Sequence, residues 1–336
     1  MSLYSIGDLA GTFLLRRQNV RLNSELARLT QEMASGVAAD IPRHLNGNYS
    51  FLGDLERGLR VNEGYANAAK EAAFFTGAMQ SALEQVQQAT ASLSSDLILS
   101  GNSALPEAVA TASTTARGEF EGLVSAFNTN VAARALFSGD RTDTPPLAPA
   151  DDILASIEAA IAGETTLSGV LAAIDDWFDT AGGGFETTAY LGSDDPLSAF
   201  LIGEGETVDL DLKADDQAIR DILKNTALAA LAADPDLGFA IDLRAELLVS
   251  AGENLMTSQS RLSQIRADLG YAEARIEESQ TRLSAERTSL EIARGELLGV
   301  DLYETATRLE NVQFQLESLY TATARLSGLS LVEFLR

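Results

Sequence analysis

Residues 255–298 read LMTSQSRLSQIRADLGYAEARIEESQTRLSAERTSLEIARGELL. Leu255, Leu262, Leu269, Ile276, Leu283, Leu290 and Leu297 recur at one heptad position without a miss. Three residues after each come Ser258, Ile265, Ala272, Ser279, Glu286, Ala293 and Val300, small or mixed. A seven-residue apolar period sustained this far marks one long helix with a coiled-coil stripe. No proline occurs between Leu255 and Arg336, and Gly270 is the one glycine before Gly295. At the helical rise, 44 residues span about 65 Å, longer than a small domain is wide. The segment is expected to act as a spine.

The stripe changes phase after Gly299-Val300-Asp301. It resumes as Leu302, Leu309 and Leu316, with Val312, Leu319 and Leu326 at the companion position. A shifted heptad turns the seam toward a second partner surface. The chain ends with Leu329, Leu331, Phe334 and Leu335 close to its terminus, where large apolar side chains point to burial in an assembly. The N-terminal stretch mirrors the last one. Leu15, Leu22 and Leu29 repeat at seven with Leu26 and Met33 beside them, and Ser35-Gly36 supplies a helix stop. The two terminal helices can cover each other as a parallel or an antiparallel pair. Each stripe alone has little core, so the terminal helices are expected to be poorly ordered until neighbours cover them.

Composition removes whole classes of function. The 336 residues carry 49 acids against 24 Lys and Arg, a net charge of −25. That balance argues against nucleic acid or an anionic membrane as partner, since both require a basic face. Cysteine is absent, which excludes disulfides, thiolate metal sites and cysteine nucleophiles. The single histidine, His44, lies in a turn-rich loop with no orienting partner in view. No apolar run reaches the roughly 20 residues needed to span a bilayer. Met1–Asp8 has neither a basic region nor a cleavage site, so export without a cleaved signal peptide is expected if the protein works outside the cell.

Between the ends, a long helix is expected from Phe51 to Ser100, then a helix from Pro106 carrying Val109, Ala112, Ala116, Phe120, Leu123, Phe127 and Val131 and ending at Leu136-Phe137-Ser138-Gly139. Pro145, Pro146 and Pro149, three of seven prolines, then mark a boundary. From Pro145 to Ala240 there are 19 acids and three basic residues, −16 of the total −25. Helices are expected at 151–162, 167–180 and 215–233, and strands at 187–191, 199–202 and 207–212, the last two joined as a hairpin by Gly203-Glu204-Gly205. The two prolines and the return to the bundle near Asp242 suggest an insert that the bundle can fold without. No catalytic or metal motif survives scrutiny. Asp209-x-Asp211-x-Lys213 lacks the glycine and closing glutamate of a calcium loop, and Gly182-Gly183-Gly184 lacks the Lys-Ser/Thr of a phosphate loop.

Five stretches together resemble the flagellin superfamily, and within it the hook-associated proteins of the hook–filament junction. They are Leu22–Leu26 through Met33-Ala34-Ser35-Gly36; Asn128-Thr129-Asn130 with Leu136-Phe137-Ser138-Gly139 through Pro145-Pro146-Leu147; the returning spine 240–298; Gly299-Val300-Asp301-Leu302 through Thr305-Ala306 and Leu309; and Ser327–Leu335. The stretch from Leu-Phe-Ser-Gly to the prolines is the most specific. Val37–Ser50 departs from the superfamily pattern and keeps only Asp40-Ile41-Pro42.

The resemblance implies a mainly α protein, an elongated flagellin-like helical bundle or coiled coil formed by both chain ends, with a small inserted α/β outer domain. Three parts are expected: residues 1–40 with 300–336 as a terminal coiled-coil assembly domain, 41–143 with 240–299 as a helical rod, and 144–239 as the acidic insert. It implies a structural, non-enzymatic role without cofactor or metal, as an extracellular junction adaptor of the bacterial flagellum or, alternatively, as the bulk filament subunit. Implied partners are further copies in a ring, the other junction protein, flagellin, and an export chaperone before type III secretion. The expected assembly interface is Leu15, Leu22, Leu26, Leu29, Met33, Leu302, Leu309, Val312, Leu316, Leu319, Leu326, Leu331 and Phe334.

Overall fold

The computed structural model describes residues 4–334, with side chains described from 10 to 325. It is mainly α, with nine helices and two short strand pairs among the described residues. The chain forms two compact units. Residues 64–284 make one, and residues 1–63 with 285–336 make the other.

The larger unit grows from the stripes legible in the sequence. It contains most of α3 (Ser50–Ser103), all of α4 (Pro106–Phe127) and α8 (Ile241–Leu298) as far as residue 284. Leu255, Leu262, Leu269, Ile276 and Leu283 are all buried in a core with Phe75, Met79, Leu83 and Val86 of α3. The two helices run antiparallel, since Gln80 Nε2 donates to Arg266 O at 2.8 Å and Gln280 Nε2 to Ala69 O at 3.1 Å. They approach closely at a glycine on each helix. A Cβ on Gly252 would sit 2.7 Å from Ser94 O, and one on Gly101 2.7 Å from Ala245 O. The small companion positions of the heptad have a reason too. Ser279 is fully buried and donates to the Ile202 carbonyl at 2.6 Å, so strand backbone, not a second helix, fills that side of the spine.

Residues 144–239 share this core. They form α5 (Ala150–Ile161), α6 (Leu167–Asp179), one π-helical turn (Phe185–Ala189), a hairpin of β3 (Phe200–Gly203) with β4 (Glu206–Val208), and α7 (Gln217–Leu231). Ile153, Ile157, Val170, Ile174, Phe178 and Ile222 belong to the same buried cluster as Phe120, Phe127 and Leu255. α7 lies along α4, fixed by Ser113 Oγ to Ala230 O at 2.9 Å and by the Arg117–Asp234 ion pair at 3.0 Å. Three parts are expected from the sequence; the chain forms two compact units, and the acidic stretch packs its apolar residues within the larger one. Its acids lie outward and its apolar residues complete the helical core. One inward-facing exchange of charge is Lys224, which pairs with Asp175 at 2.8 Å and Asp179 at 2.7 Å. Burial pulls the Lys224 ammonium down, but these two carboxylates outweigh it and hold it above its usual range.

Two local expectations change. α4 stops at Phe127, so Val131 is not on it. Asn128 leaves the helix to pair twice with Leu147, donating to its carbonyl at 3.0 Å and accepting from its N–H at 2.9 Å. Ala132 and Ala133 then take positive φ in the tight turn between β1 (Asn130–Val131) and β2 (Arg134–Ala135). The strand expected at 187–191 is instead the π-helical turn. Gly184 lies flat against the Trp177 indole, where a Cβ would be 1.9 Å from Nε1, and this places Phe185 in a stack on Phe178 with centroids 5.6 Å apart.

Replacing residues 144–236 by a short Gly-Ser linker uncovers Val109, Ala112, Ala116, Phe120, Leu123 and Phe127 of α4, at about 1.5–3 kcal/mol for each large side chain. The expected result is loss of a cooperative melt for α3, α4 and α8 together, followed by circular dichroism. A cooperative transition retained by the deletion variant would show the insert to be dispensable.

Candidate assembly site

The smaller unit contains α1 (Tyr4–Ser35), the short α2 (Ile41–His44), the start of α3, the end of α8 and α9 (Leu302–Phe334). Its organising feature is a clasp between the end of α1 and the break separating α8 from α9. Gly36 takes φ +70°, which turns the chain out of α1 as its N–H caps Glu32 O at 2.8 Å. Val37 then forms an antiparallel bridge with Gly299. Ala38 N–H donates to Leu298 O at 2.9 Å and Val300 N–H to Gly36 O at 3.0 Å. A helix end leaves its last carbonyls without intrahelical partners. The α8 end receives them from across the clasp, with Ala38 on Leu298 and the His44 imidazole Nε2 on the Leu297 carbonyl at 3.1 Å.

Side chains lock the clasp from both sides. Glu32 is 5% exposed, and its Oε1 accepts from Arg28 Nη1 at 2.9 Å and from the Ala39 N–H at 3.1 Å. Asp301 caps α9 through Oδ1, which accepts from Tyr303 N–H at 2.8 Å and Glu304 N–H at 3.0 Å. Asp40 caps α2 in the same way. A polar recess of about 730 Å³ opens beside these residues, bordered by Arg21, Arg28, Arg43 and Arg308. Arg28 pairs with Glu25 and Glu32 and Arg308 with Glu304, while Arg21 and Arg43 form no ion pair among the described residues.

Beyond the clasp α1 and α9 run side by side in opposite directions. Gly36 meets Val300, and Asn19 and Asn23 hydrogen-bond Tyr320, holding its phenol below the usual range. Of the residues expected at the assembly interface, Leu22, Leu29, Val312, Leu316 and Leu319 are buried together, with Leu15, Leu26 and Leu309 packed half-buried against them. These eight close on each other within one chain. Met33 and Leu302 are exposed, at 42% and 49%. The side chains of Leu326, Leu331 and Phe334 lie outside the described residues.

The same two helices carry a second apolar set that the heptad reading passes over. Phe13, Leu14, Val20 and Phe314 are each more than 60% exposed. Phe13, Val20, Ala27 and Ala34 also repeat at seven, which is the signal that could have revealed this outer stripe. Glu32 was equally hidden. It is an acid on the seam side just before Ser35-Gly36, and Arg28 one turn earlier is the clue to its partner.

Three carboxylates, Glu158, Asp234 and Asp236, could converge on a cation in the larger unit, but Arg117 already pairs with Asp234. No helix of the described residues is long and apolar enough to cross a membrane.

Residues 253–335 match the family model of the bacterial flagellin C-terminal helical region. The match takes in the α8 side of the clasp and nearly all of α9, so the chain carries a flagellin-type helical region there. No curated protein matches the sequence. A solved structure from Vibrio parahaemolyticus, described as a flagellar hook-associated protein, shares the fold with a TM-score of 0.50. It is 16% identical, and the alignment covers 73% of this chain and 95% of that one.

Glu32→Ala removes the carboxylate but leaves the Ala39 N–H and the Arg28 guanidinium short of a partner. The smaller unit should lose about 1–3 kcal/mol of stability, read by denaturant unfolding with a probe placed on α9. A change within about 0.5 kcal/mol would remove Glu32 from the clasp.

Proposed function

We propose that this protein is a structural subunit of the bacterial flagellum, of the type 3 hook-associated kind, that joins the hook side to the flagellin filament. The observation that carries the reading is the position of the flagellin-type match, 253–335, on the segment that clasps and pairs with α1. The shared fold with the hook-associated structure supports it, as does the run from Leu136-Phe137-Ser138-Gly139 to Pro145-Pro146.

In this reading the terminal pair is the assembly device. The inner leucines set its form, and the outer Phe13, Leu14, Val20 and Phe314, with Met33 and Leu302, meet neighbouring subunits. A ring of copies would contact the other junction protein on one side and flagellin on the other. Before secretion through the type III route a chaperone would cover the C-terminal stripe. A second reading is favoured by the match to a flagellin region itself: the chain would be the bulk filament subunit.

Tagged protein located on detached flagella separates the two. A label confined to the hook–filament boundary is expected. A label along the whole filament would make the chain a flagellin, and no label on flagella would remove the flagellar role. Replacing Leu309, Leu316 and Leu319 by serine should abolish incorporation while residues 64–284 melt as in the parent protein. Incorporation of that variant would free α9 from any part in assembly.

A further inference from the structure

The larger unit contains a recess of about 610 Å³ where the loop after Gly139, the π-helical turn and the start of α7 come together. Two of its lining residues are arginines, Arg141 and Arg220. In a chain with 49 acids neither forms an ion pair among the described residues. Each is instead held by a backbone carbonyl. Arg141 Nη1 donates to Leu191 O at 3.0 Å and Arg220 Nη1 to Phe178 O at 3.1 Å. The Arg220 guanidinium also lies 5.6 Å over the Phe185 ring, a placement that fixes its plane. Its Nε is buried and has no hydrogen-bond partner among the described residues. A guanidinium presents five N–H donors in a rigid fork suited to a carboxylate. The π-helical turn beside it is a rare element that gathers at functional sites.

The remaining polar wall restricts the ligand. Glu186 already accepts from the Gly182 N–H at 2.7 Å, and Asp215 pairs with Lys213 at 3.0 Å. The Asp194 carboxylate has no partner among the described residues and is ready to accept a donor. Burial, followed by the charges of Asp215 and Asp194, pushes the Tyr190 phenol above its ordinary range, so its hydroxyl stays neutral and donates to Ser193 O at 2.9 Å. A bare anion or a phosphate would meet the forks but would also face Asp194 and Asp215 with nothing to give them. A neutral sugar would satisfy Asp194 and leave the arginines as they are. A ligand with one carboxylate and several hydroxyl donors answers both sets.

We propose that this recess binds a small polyhydroxylated carboxylate of the hexuronate class. Its carboxylate is held by Arg141 and Arg220, its hydroxyls donate to Asp194, and its less polar face rests on Tyr190 and Leu191. The acidity of the whole chain opposes an anionic ligand, but at physiological salt charges beyond about 8 Å are largely screened, whereas the two guanidiniums make direct contact. The site is independent of the terminal pair and of any flagellar role.

The test is calorimetric titration of the full chain at physiological salt, about 0.15 M, with glucuronate, glucose and glycine in parallel. Saturable glucuronate binding is expected, with glucose weaker by at least about tenfold for want of the charge-assisted contacts. Arg141 is exposed and outside the core, so Arg141→Gln should keep the parent melting temperature and weaken glucuronate by about tenfold or more. Arg220→Lys, which keeps the charge and loses the fork, should weaken it as well. The proposal is overturned if glucuronate does not bind, if glucose binds equally, if glycine binds more tightly than glucuronate, or if Arg141→Gln binds like the parent.

Discussion

The smaller unit depends on one short antiparallel contact, the pairing of Gly36–Ala38 with Leu298–Val300. It joins places 260 or so residues apart in sequence, and closing so long a loop costs conformational entropy. That cost is met only because the rest of the chain already brings α3 and α8 together as an antiparallel pair. The clasp then does two things. It supplies donors to the last carbonyls of α8, and it fixes the point from which α1 and α9 run back along each other. Gly36 is required for this by its φ of +70°, with open space where a Cβ would stand. Backbone strain, not crowding, is therefore what disfavours other residues there, at roughly 1–2 kcal/mol.

The two units are built on different margins. Residues 64–284 have a broad core of phenylalanine, leucine and isoleucine from every element, including those of the acidic stretch. Among the described residues the α1–α9 pair has five buried apolar side chains and three half-buried ones. The exposed Phe13, Leu14, Val20 and Phe314 leave apolar surface on the outside of that pair. Arg16, Arg17 and Arg21 lie on α1 in a chain that is acidic almost everywhere else. Apolar residues and positive charge thus sit together on the helix whose inner face is already occupied.

Much of this was legible in the sequence, and what was not has identifiable causes. The unbroken heptad from Leu255 and its phase change at Gly299 give α8, α9 and the break between them, because a long helix leaves a long periodic record. The helices of the acidic stretch and the hairpin closed by Gly203-Glu204-Gly205 are equally clear. The end of α4 was not, because Asn128 leaves the helix for a tertiary contact with Leu147 that no local propensity encodes. The Pro145-Pro146 stretch reads as a domain boundary, yet proline reports only a change of direction. Whether the chain then enters a new core is decided by residues such as Ile157 and Phe178, which look the same in either case. The packing of α1 on α9 was half visible. Heptad counting finds the inner seam, since that has the strictest period. It passes over the outer stripe, the buried Glu32 and the backbone pairs at Ala38 and Val300, where identity of the side chain hardly matters.

The most direct test of this account is amide hydrogen exchange of the full chain at concentrations where it is monomeric, resolved at Ala38 and Val300. Both amides should exchange far more slowly than in an unfolded chain. In Gly36→Val both should lose that protection together with the amides of 309–319, while residues 64–284 keep theirs. Exchange of Ala38 and Val300 at unfolded-chain rates in the parent protein, or unchanged protection of 309–319 in Gly36→Val, would contradict the claim that the clasp holds the terminal pair.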